Sequence, residues 1–122
     1  MQRGGNERRA VMVRPRVHIG AVAIGPGKVD LLREIAEKQS ISAAARAMGL
    51  TYKRAWLLIE TLNRGFGKPV VEAVAGGKGG GGARLTPLGE ALIKGYDALE
   101  DKLAANAQPE LEALRALLDS AM

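Results

Sequence analysis

Residues 42–62 read SAAARAMGLTYKRAWLLIETL, the pattern of two helices joined by a tight turn. The first half is short, rich in small residues and ends at Gly49, and the second half starts at Thr51, a candidate helix N-cap. A close helix crossing needs a small residue such as Ala45, and the turn needs a left-handed conformation, which glycine adopts at little cost. The stretch therefore predicts a helix-turn-helix. The residues predicted to fill the angle between its helices are Leu50, Ala55 and Leu58.

The segments before this unit predict an arm, a strand and a helix. Residues 1–15 are rich in Arg and Gly without periodicity, which is typical of a flexible basic arm. From Arg16, the sequence RVHIGAVAIG alternates apolar residues with a period of two, which predicts one strand. Residues 27–39 read GKVDLLREIAEKQ and place apolar and charged residues on opposite sides of an amphipathic helix.

The segments after this unit predict a wing and a long helix. Six glycines surround Lys78 in GGKGGGG, between the strand candidates PVVEAVA and ARLT, which indicates a hairpin with a flexible tip. Thr86 and Pro87 then supply the cap and the first position of a long helix. Pro109 opens a last short helix.

The order of these elements predicts a winged helix-turn-helix, mainly α with a small β wing. It occupies residues 16–87, and residues 88–122 form C-terminal dimerisation helices. Apolar residues recur at spacings of four and three along the long helix, as in a seam that packs on a partner helix. Because single helix-turn-helix units gain specificity through paired half-sites, we expect the partner to be a second copy of the chain. The predicted dimerisation residues are Leu88, Leu92, Tyr96, Leu99 and Leu103.

The charge distribution favours a polyanionic partner. The chain of 122 residues carries a net charge of +5, and residues 42–86 alone hold seven basic groups against Glu60 and Glu72. Residues 87–122 carry three basic groups against seven acidic ones. We therefore expect a polyanion to meet the middle of the chain rather than its C-terminal part.

Composition excludes several classes of site. The absence of cysteine removes disulfides, thiolate catalysis and Cys-based zinc sites. The single histidine, His18, has no second His to complete a metal site. No apolar run approaches the roughly 20 residues that span a bilayer. We expect a cytoplasmic protein without membrane contact, cofactor or metal, and no group of residues predicts an enzyme.

The second helix of a helix-turn-helix presents its N-terminal residues to base edges in the major groove. In this chain those residues supply hydroxyl, phenol, ammonium and guanidinium groups, which suit hydrogen bonds to guanine or contact with a thymine methyl. The glycine-rich wing tip allows Lys78 to approach phosphates closely, so we expect the wing to position the protein rather than to read sequence. The predicted DNA-binding residues are Ser42, Arg46, Thr51, Tyr52, Lys53, Arg54, Arg64, Lys78 and Arg84.

Two aromatic residues of the second helix leave alternatives open. Trp56 either stacks near DNA or packs in the core or in a dimer interface, and the general burial of aromatic residues favours packing. Tyr52 either contacts a phosphate or helps to cap the helix.

The segments SISAAARAMGLTYKRAW and VVEAVAGGKGGGGARLTPLGEALI resemble the N-terminal DNA-binding domain of the ModE family, bacterial molybdate-responsive regulators similar to LysR-type winged domains. The resemblance runs from about Ile19 to Leu103. It implies a homodimer built partly on the C-terminal helix, a partly palindromic operator and a link to molybdenum metabolism. Full-length members carry further C-terminal domains that bind molybdate. Because 122 residues leave no room for them, we do not expect direct molybdate binding; a single-domain member and one domain of a longer protein both fit.

These observations predict a sequence-specific regulator of transcription that binds double-stranded DNA. One alternative is a protein-interaction module that uses the winged fold to bind another protein. The positive charge of residues 42–86 speaks against it, since a protein-docking face has no need of that charge. The other alternative is a non-specific architectural DNA-binding protein, which needs the charge but prefers no sequence.

Overall fold

A computed structural model describes residues 11–75 and 82–121. Helices dominate, and the strands form two separate antiparallel pairs, so the predicted fold, mainly α with a small β wing, is confirmed. Residues 1–10 of the predicted arm and Lys78 at the predicted wing tip lie outside the described residues. The elements in chain order are β1 (Val17–Ile19), β2 (Val22–Ile24), α1 (Pro26–Lys38), α2 (Ile41–Ala47), α3 (Tyr52–Phe66), β3 (Val71–Val74), β4 (Gly82–Leu85), α4 (Pro87–Asn106) and α5 (Gln108–Ala121).

The N-terminal segment is a hairpin, so the prediction of a single strand was wrong. Gly20 has a φ of 60° and forms the turn, and β1 then pairs with β2 so that Val17 lies opposite Ile24. The turn breaks the alternation on which the prediction depended. As a result Val22 and Ile24 pack with the core, while Ile19 is 62% exposed.

The core is built from the helix-turn-helix and the strands around it. The predicted features of the turn are present: Gly49 has a φ of 69°, Ala45 is buried, and Leu50, Ala55 and Leu58 pack in or against the core. The Leu50 amide donates to the Ala45 carbonyl at 2.8 Å. Ser40 and Thr51 cap α2 and α3 by accepting from backbone amides three residues on, at 3.0 Å each. The buried residues of the three helices are Val29, Leu31, Leu32, Ile35, Ala44, Ala45, Ala55, Ile59 and Leu62.

The β3–β4 wing is joined to the helices at its base. The Asn63 side-chain oxygen of α3 accepts from the Val70 amide at 2.8 Å, and the carbonyl of Gln39, just after α1, accepts from the Ala83 amide at 3.1 Å. Thr86 donates its hydroxyl to the Pro69 carbonyl at 2.8 Å and also caps α4. Because each strand is bonded to a different helix end, the wing and α3 are held in one arrangement.

The segment before β1 contacts α1 and α4, although it was predicted to belong to the arm. Arg14 pairs with Asp30 of α1, and the buried Tyr96 of α4 donates its hydroxyl to the Pro15 carbonyl at 2.7 Å. Burial raises the pKa of Tyr96 above its ordinary value. Residues 14 and 15 are thus part of the folded body.

Candidate nucleic-acid interface

The N-terminal end of α3 carries four of the predicted DNA-binding residues. The Thr51 side chain accepts from the Arg54 amide, which confirms it as the N-cap. Tyr52, Lys53 and Arg54 occupy the first turn and are exposed, and that turn contains no acidic residue. The capped end of a helix carries partial positive charge, so its field adds to that of the two cations. The arrangement suits a phosphate or the electronegative edge of a guanine.

The predicted basic residues fall into two groups. Arg46, Lys53 and Arg54 are exposed and have no carboxylate partner among residues 11–75 and 82–121. In contrast, Arg64 lies 3.6 Å from a Glu60 carboxylate oxygen, and Arg84 donates to Glu72 at 2.8 Å across the wing. Among the predicted basic residues that the structure describes, those without a carboxylate partner thus lie around the α2–α3 turn.

The two paired arginines remain accessible despite their partners. Arg64 is 77% exposed and Arg84 is 65% exposed along the side chain, so each still has donors that face water. The register of the wing explains the second pair, because Glu72 lies directly opposite Arg84. Exposed pairs of this kind are weak, at about 0–1 kcal/mol, so a phosphate can compete for the guanidinium.

Ser42 is exposed on α2 and lines an open cleft together with Tyr52 and Gly82. The roles assigned to Ser42 and to the basic residues stay predictions. So does that of Lys78, which lies outside the described residues.

Trp56 is 43% exposed, which excludes packing in the core of the chain. The other two predictions for it, packing in a dimer interface and stacking near DNA, stay open. It lines a groove between α3 and the wing, together with Tyr52, Ile59 and Ala83. A signal for this placement was present in the sequence. Trp56 follows Ala55 directly and so stands outside the i, i+3, i+4, i+7 set that marks the buried side of the helix.

The predicted dimerisation residues do not share one environment. Leu88, Leu92 and Leu99 are partly buried, and Leu103 is 36% exposed. Tyr96 is only 4% exposed and packs within the single chain, which leaves little of its surface for a second copy. An apolar groove beside α4 is lined by Val17, Ile24, Ala91, Leu92, Gly95 and Leu99.

Charged side chains also pair with each other where α1 contacts α4. Arg33 of α1 donates to both carboxylate oxygens of Asp97 on α4, at 2.5 and 3.2 Å. The hydrogen bond from Arg33 lowers the pKa of Asp97 below its ordinary value. These two groups stabilise the contact between α1 and α4.

The described part of the chain offers neither metal-binding chemistry nor a membrane span. No group of three or more His, Asp or Glu side chains comes together there in a way that suits a metal ion. No helix within residues 11–75 and 82–121 is long and apolar enough to cross a bilayer.

A family model described as "bacterial regulatory helix-turn-helix protein, lysR family" matches residues 27–90, slightly more than half of the chain. The chain belongs to this LysR family. The match begins at the start of α1 and ends in the first turn of α4, so it contains the helix-turn-helix and the wing.

Two relatives extend the comparison for this LysR-family protein. The molybdenum-pterin-binding protein MopA of Rhodobacter capsulatus is 43% identical over 98 residues, which are 80% of this chain and 37% of MopA. The DNA-binding transcriptional dual regulator ModE of Escherichia coli K12 is 46% identical over 74 residues, 61% of this chain and 28% of ModE. The chain thus spans well under half the length of these relatives, and the predicted resemblance to ModE is confirmed.

The fold is also that of solved LysR-type domains. The crystal structure of the CbnR DNA-binding domain in complex with DNA superposes with a TM-score of 0.53 at 18% identity, over 72% of this chain and 94% of that one. At that identity the likeness concerns the fold, and it confirms the winged helix-turn-helix.

Proposed function

We propose that this chain binds double-stranded DNA at specific sequences and regulates transcription, with α3 in the major groove and the β3–β4 wing beside it. The observation that carries the proposal is a group of exposed cations around the α2–α3 turn that have no carboxylate partner within residues 11–75 and 82–121, namely Arg46, Lys53 and Arg54. A helix-turn-helix brings this part of its second helix to base edges. The kinship with ModE, named as a DNA-binding regulator, supports the same function.

The basic residues with and without carboxylate partners have different roles in DNA binding. Lys53 and Arg54 stand at the end of α3 that enters a groove, so they read bases or bind the nearest phosphates. Arg84 and Arg64 bind phosphates through the guanidinium donors that still face water, while each keeps its carboxylate partner. The regulator acts in the bacterial cytoplasm, and its similarity to MopA, a molybdenum-pterin-binding protein, connects it to molybdenum metabolism.

Two measurements test the proposal. Selection from a random pool of duplex oligonucleotides should enrich one sequence, and affinity for it should fall steeply with salt. If the bound protein neutralises about eight phosphates, log affinity falls against log salt with a slope of about −7. A slope near zero contradicts DNA binding and favours a protein-interaction module. A steep slope without an enriched sequence indicates an architectural DNA-binding protein.

We further propose that the protein acts as a homodimer through α4. The apolar groove beside α4 and the partly exposed Leu103 supply surface that a second copy would cover. Sedimentation equilibrium of the full chain should give a dimer. Leu103→Asp should dissociate it, whereas Lys94→Asp, which changes charge at an exposed position of the same helix, should not. A monomeric wild-type chain contradicts this proposal.

A further inference from the structure

The first two turns of α3 expose three large apolar or aromatic side chains. Tyr52 is 54% exposed, Trp56 43% and Leu57 40%, whereas no large hydrophobic residue from position 58 to the end of α3 is exposed to that degree. Burial of such side chains is favourable, so a cluster left open at one end of a helix indicates a surface that a partner covers.

The same two turns restrict the chemistry of that partner. Lys53 and Arg54, which have no carboxylate partner in the described part of the chain, place positive charge in the same two turns as the exposed aromatic residues. The partner must therefore offer negative charge and a small apolar group close together. The major groove of DNA does so, because phosphates border it and each thymine presents a 5-methyl group in it.

Trp56 is the best placed of the three to receive such a methyl group. It is one helical turn beyond Tyr52 and three residues beyond Lys53, so its Cα atom lies about 4.5 Å further along the helix axis than that of Lys53. It lines the groove of about 260 Å³ between α3 and the wing, whose floor includes the nearly buried Ile59 and Ala83. Leu57 is exposed to a similar extent and does not line this groove.

The carboxylates near the groove do not prevent this contact. Glu60 and Glu72 both line it, and each is paired with an arginine, Arg64 and Arg84 respectively. Their negative charge is therefore compensated before DNA arrives, and the Trp56 surface stays apolar.

We propose that Trp56 is a specificity-determining residue that packs against the 5-methyl group of one thymine in each half-site, with Tyr52 beside it. The contact makes a T·A pair preferred over C·G at that position, since cytosine lacks the methyl group. This inference rests on the proposed DNA binding and adds the base that one side chain reads.

Replacement of single thymines by deoxyuridine tests the contact, because it removes only the methyl group. The probe is the duplex selected from the random pool, bound to the full chain. At one thymine per half-site, wild-type affinity should fall about fourfold, the equivalent of about 0.8 kcal/mol for one buried methyl group. Trp56→Ala should bind the thymine duplex more weakly and lose nothing further on the uracil duplex.

Leu57→Ala is the matched control, since it removes a similar exposed apolar surface outside the groove. It should keep the fourfold penalty at the same thymine. Trp56→Phe retains an aromatic ring and should keep part of the fourfold penalty. Thermal melts show whether each variant is folded. If Trp56→Ala keeps the full penalty, or if no thymine shows one, the inference is wrong. Failure to bind any duplex instead contradicts the proposed function itself.

Intrinsic fluorescence gives a second measurement, because Trp56 is the only tryptophan of the chain. Saturation with the selected duplex should reduce quenching of the tryptophan by neutral acrylamide. Unchanged quenching, while fluorescence anisotropy of a labelled duplex shows complete binding, would mean that DNA does not cover Trp56, and the inference would fall.

Discussion

Two cations of α1 are paired with carboxylates, whereas those around the α2–α3 turn have no such partner in the described part of the chain. Arg33 binds Asp97, and Lys38 binds Glu34 at 2.6 Å, so both cations are bound to carboxylates of the fold. Lys53 and Arg54 have no carboxylate partner in the described ranges, and the side chain of Thr51 holds their helix turn in place. The difference separates two uses of the same residue types. Paired cations hold helices together, while unpaired cations keep a positive potential available for a polyanion.

The largest expected effect on DNA affinity comes from replacing the three cations around the α2–α3 turn. The triple substitution Arg46→Ala, Lys53→Ala and Arg54→Ala should weaken binding to the selected duplex about a thousandfold, at 1–3 kcal/mol for each contact. Unfolding free energy should change by less than about 0.5 kcal/mol for each site, as for other exposed positions. Equilibrium binding at fixed salt measures the first quantity, and denaturant titration the second.

Arg33→Ala is the control for that prediction. It removes a cation of the paired group and should change DNA affinity by less than about threefold, because a charge bound to Asp97 contributes little to the outer field. If Arg33→Ala reduces DNA affinity as much as the triple substitution does, the proposed difference between paired and unpaired cations is wrong.

A smaller effect, on stability alone, is expected where α4 meets the wing. A Cβ atom at Gly89 would collide with the backbone carbonyl of Val70, whereas one at Gly27 would meet nothing within 4 Å. Gly89→Ala should lower the unfolding free energy by about 1–3 kcal/mol, the usual cost of overpacking. Gly27→Ala, in the first turn of α1, should raise it by up to about 0.5 kcal/mol.

Denaturant midpoints with unchanged slopes measure both glycine variants. Under conditions where Gly89→Ala is fully folded, its DNA affinity should equal that of the wild type. A loss of affinity in the folded variant would mean that the packing of α4 also sets the position of the wing.

The smallest effect concerns the pH dependence of the Arg33–Asp97 pair. The pKa of Asp97 is lowered from its ordinary value of 3.8 in the folded protein, so the pair stabilises the fold above that pH and loses its effect as the pH falls through the folded value. Both side chains are partly exposed, so the contribution is about 0.2–1 kcal/mol. Asp97→Asn should therefore be less stable than the wild type at pH 7, and the difference should shrink below pH 3.8.

Guanidinium denaturation across pH 2–7 is unsuitable for this measurement because its salt screens the pair, so urea is the denaturant of choice. DNA affinity at pH 7 should be the same for Asp97→Asn and the wild type. A difference in stability that stays constant with pH would show that the amide disturbs packing rather than charge.

The helix-turn-helix could be predicted residue by residue because its signals are local. The caps at Ser40, Thr51 and Thr86 and the left-handed turn at Gly49 each depend on a few neighbouring residues. The same holds for the hairpin of the wing. The N-terminal hairpin was missed although Gly20 interrupts the alternation, because periodicity alone does not reveal where a strand turns back.

The sequence predicts where the basic residues of the candidate interface are concentrated, but not which of them are paired with carboxylates. The local excess of basic residues in 42–86 and the start of α3 follow from the sequence alone. Which cations are neutralised depends on contacts between distant segments. Arg33 meets Asp97 across 64 residues, and Arg84 meets Glu72 through the strand register. The position of Trp56 after Ala55 signals that it lies off the buried face of α3, but the groove that it lines depends on how the wing packs beside α3, which short-range spacing does not encode.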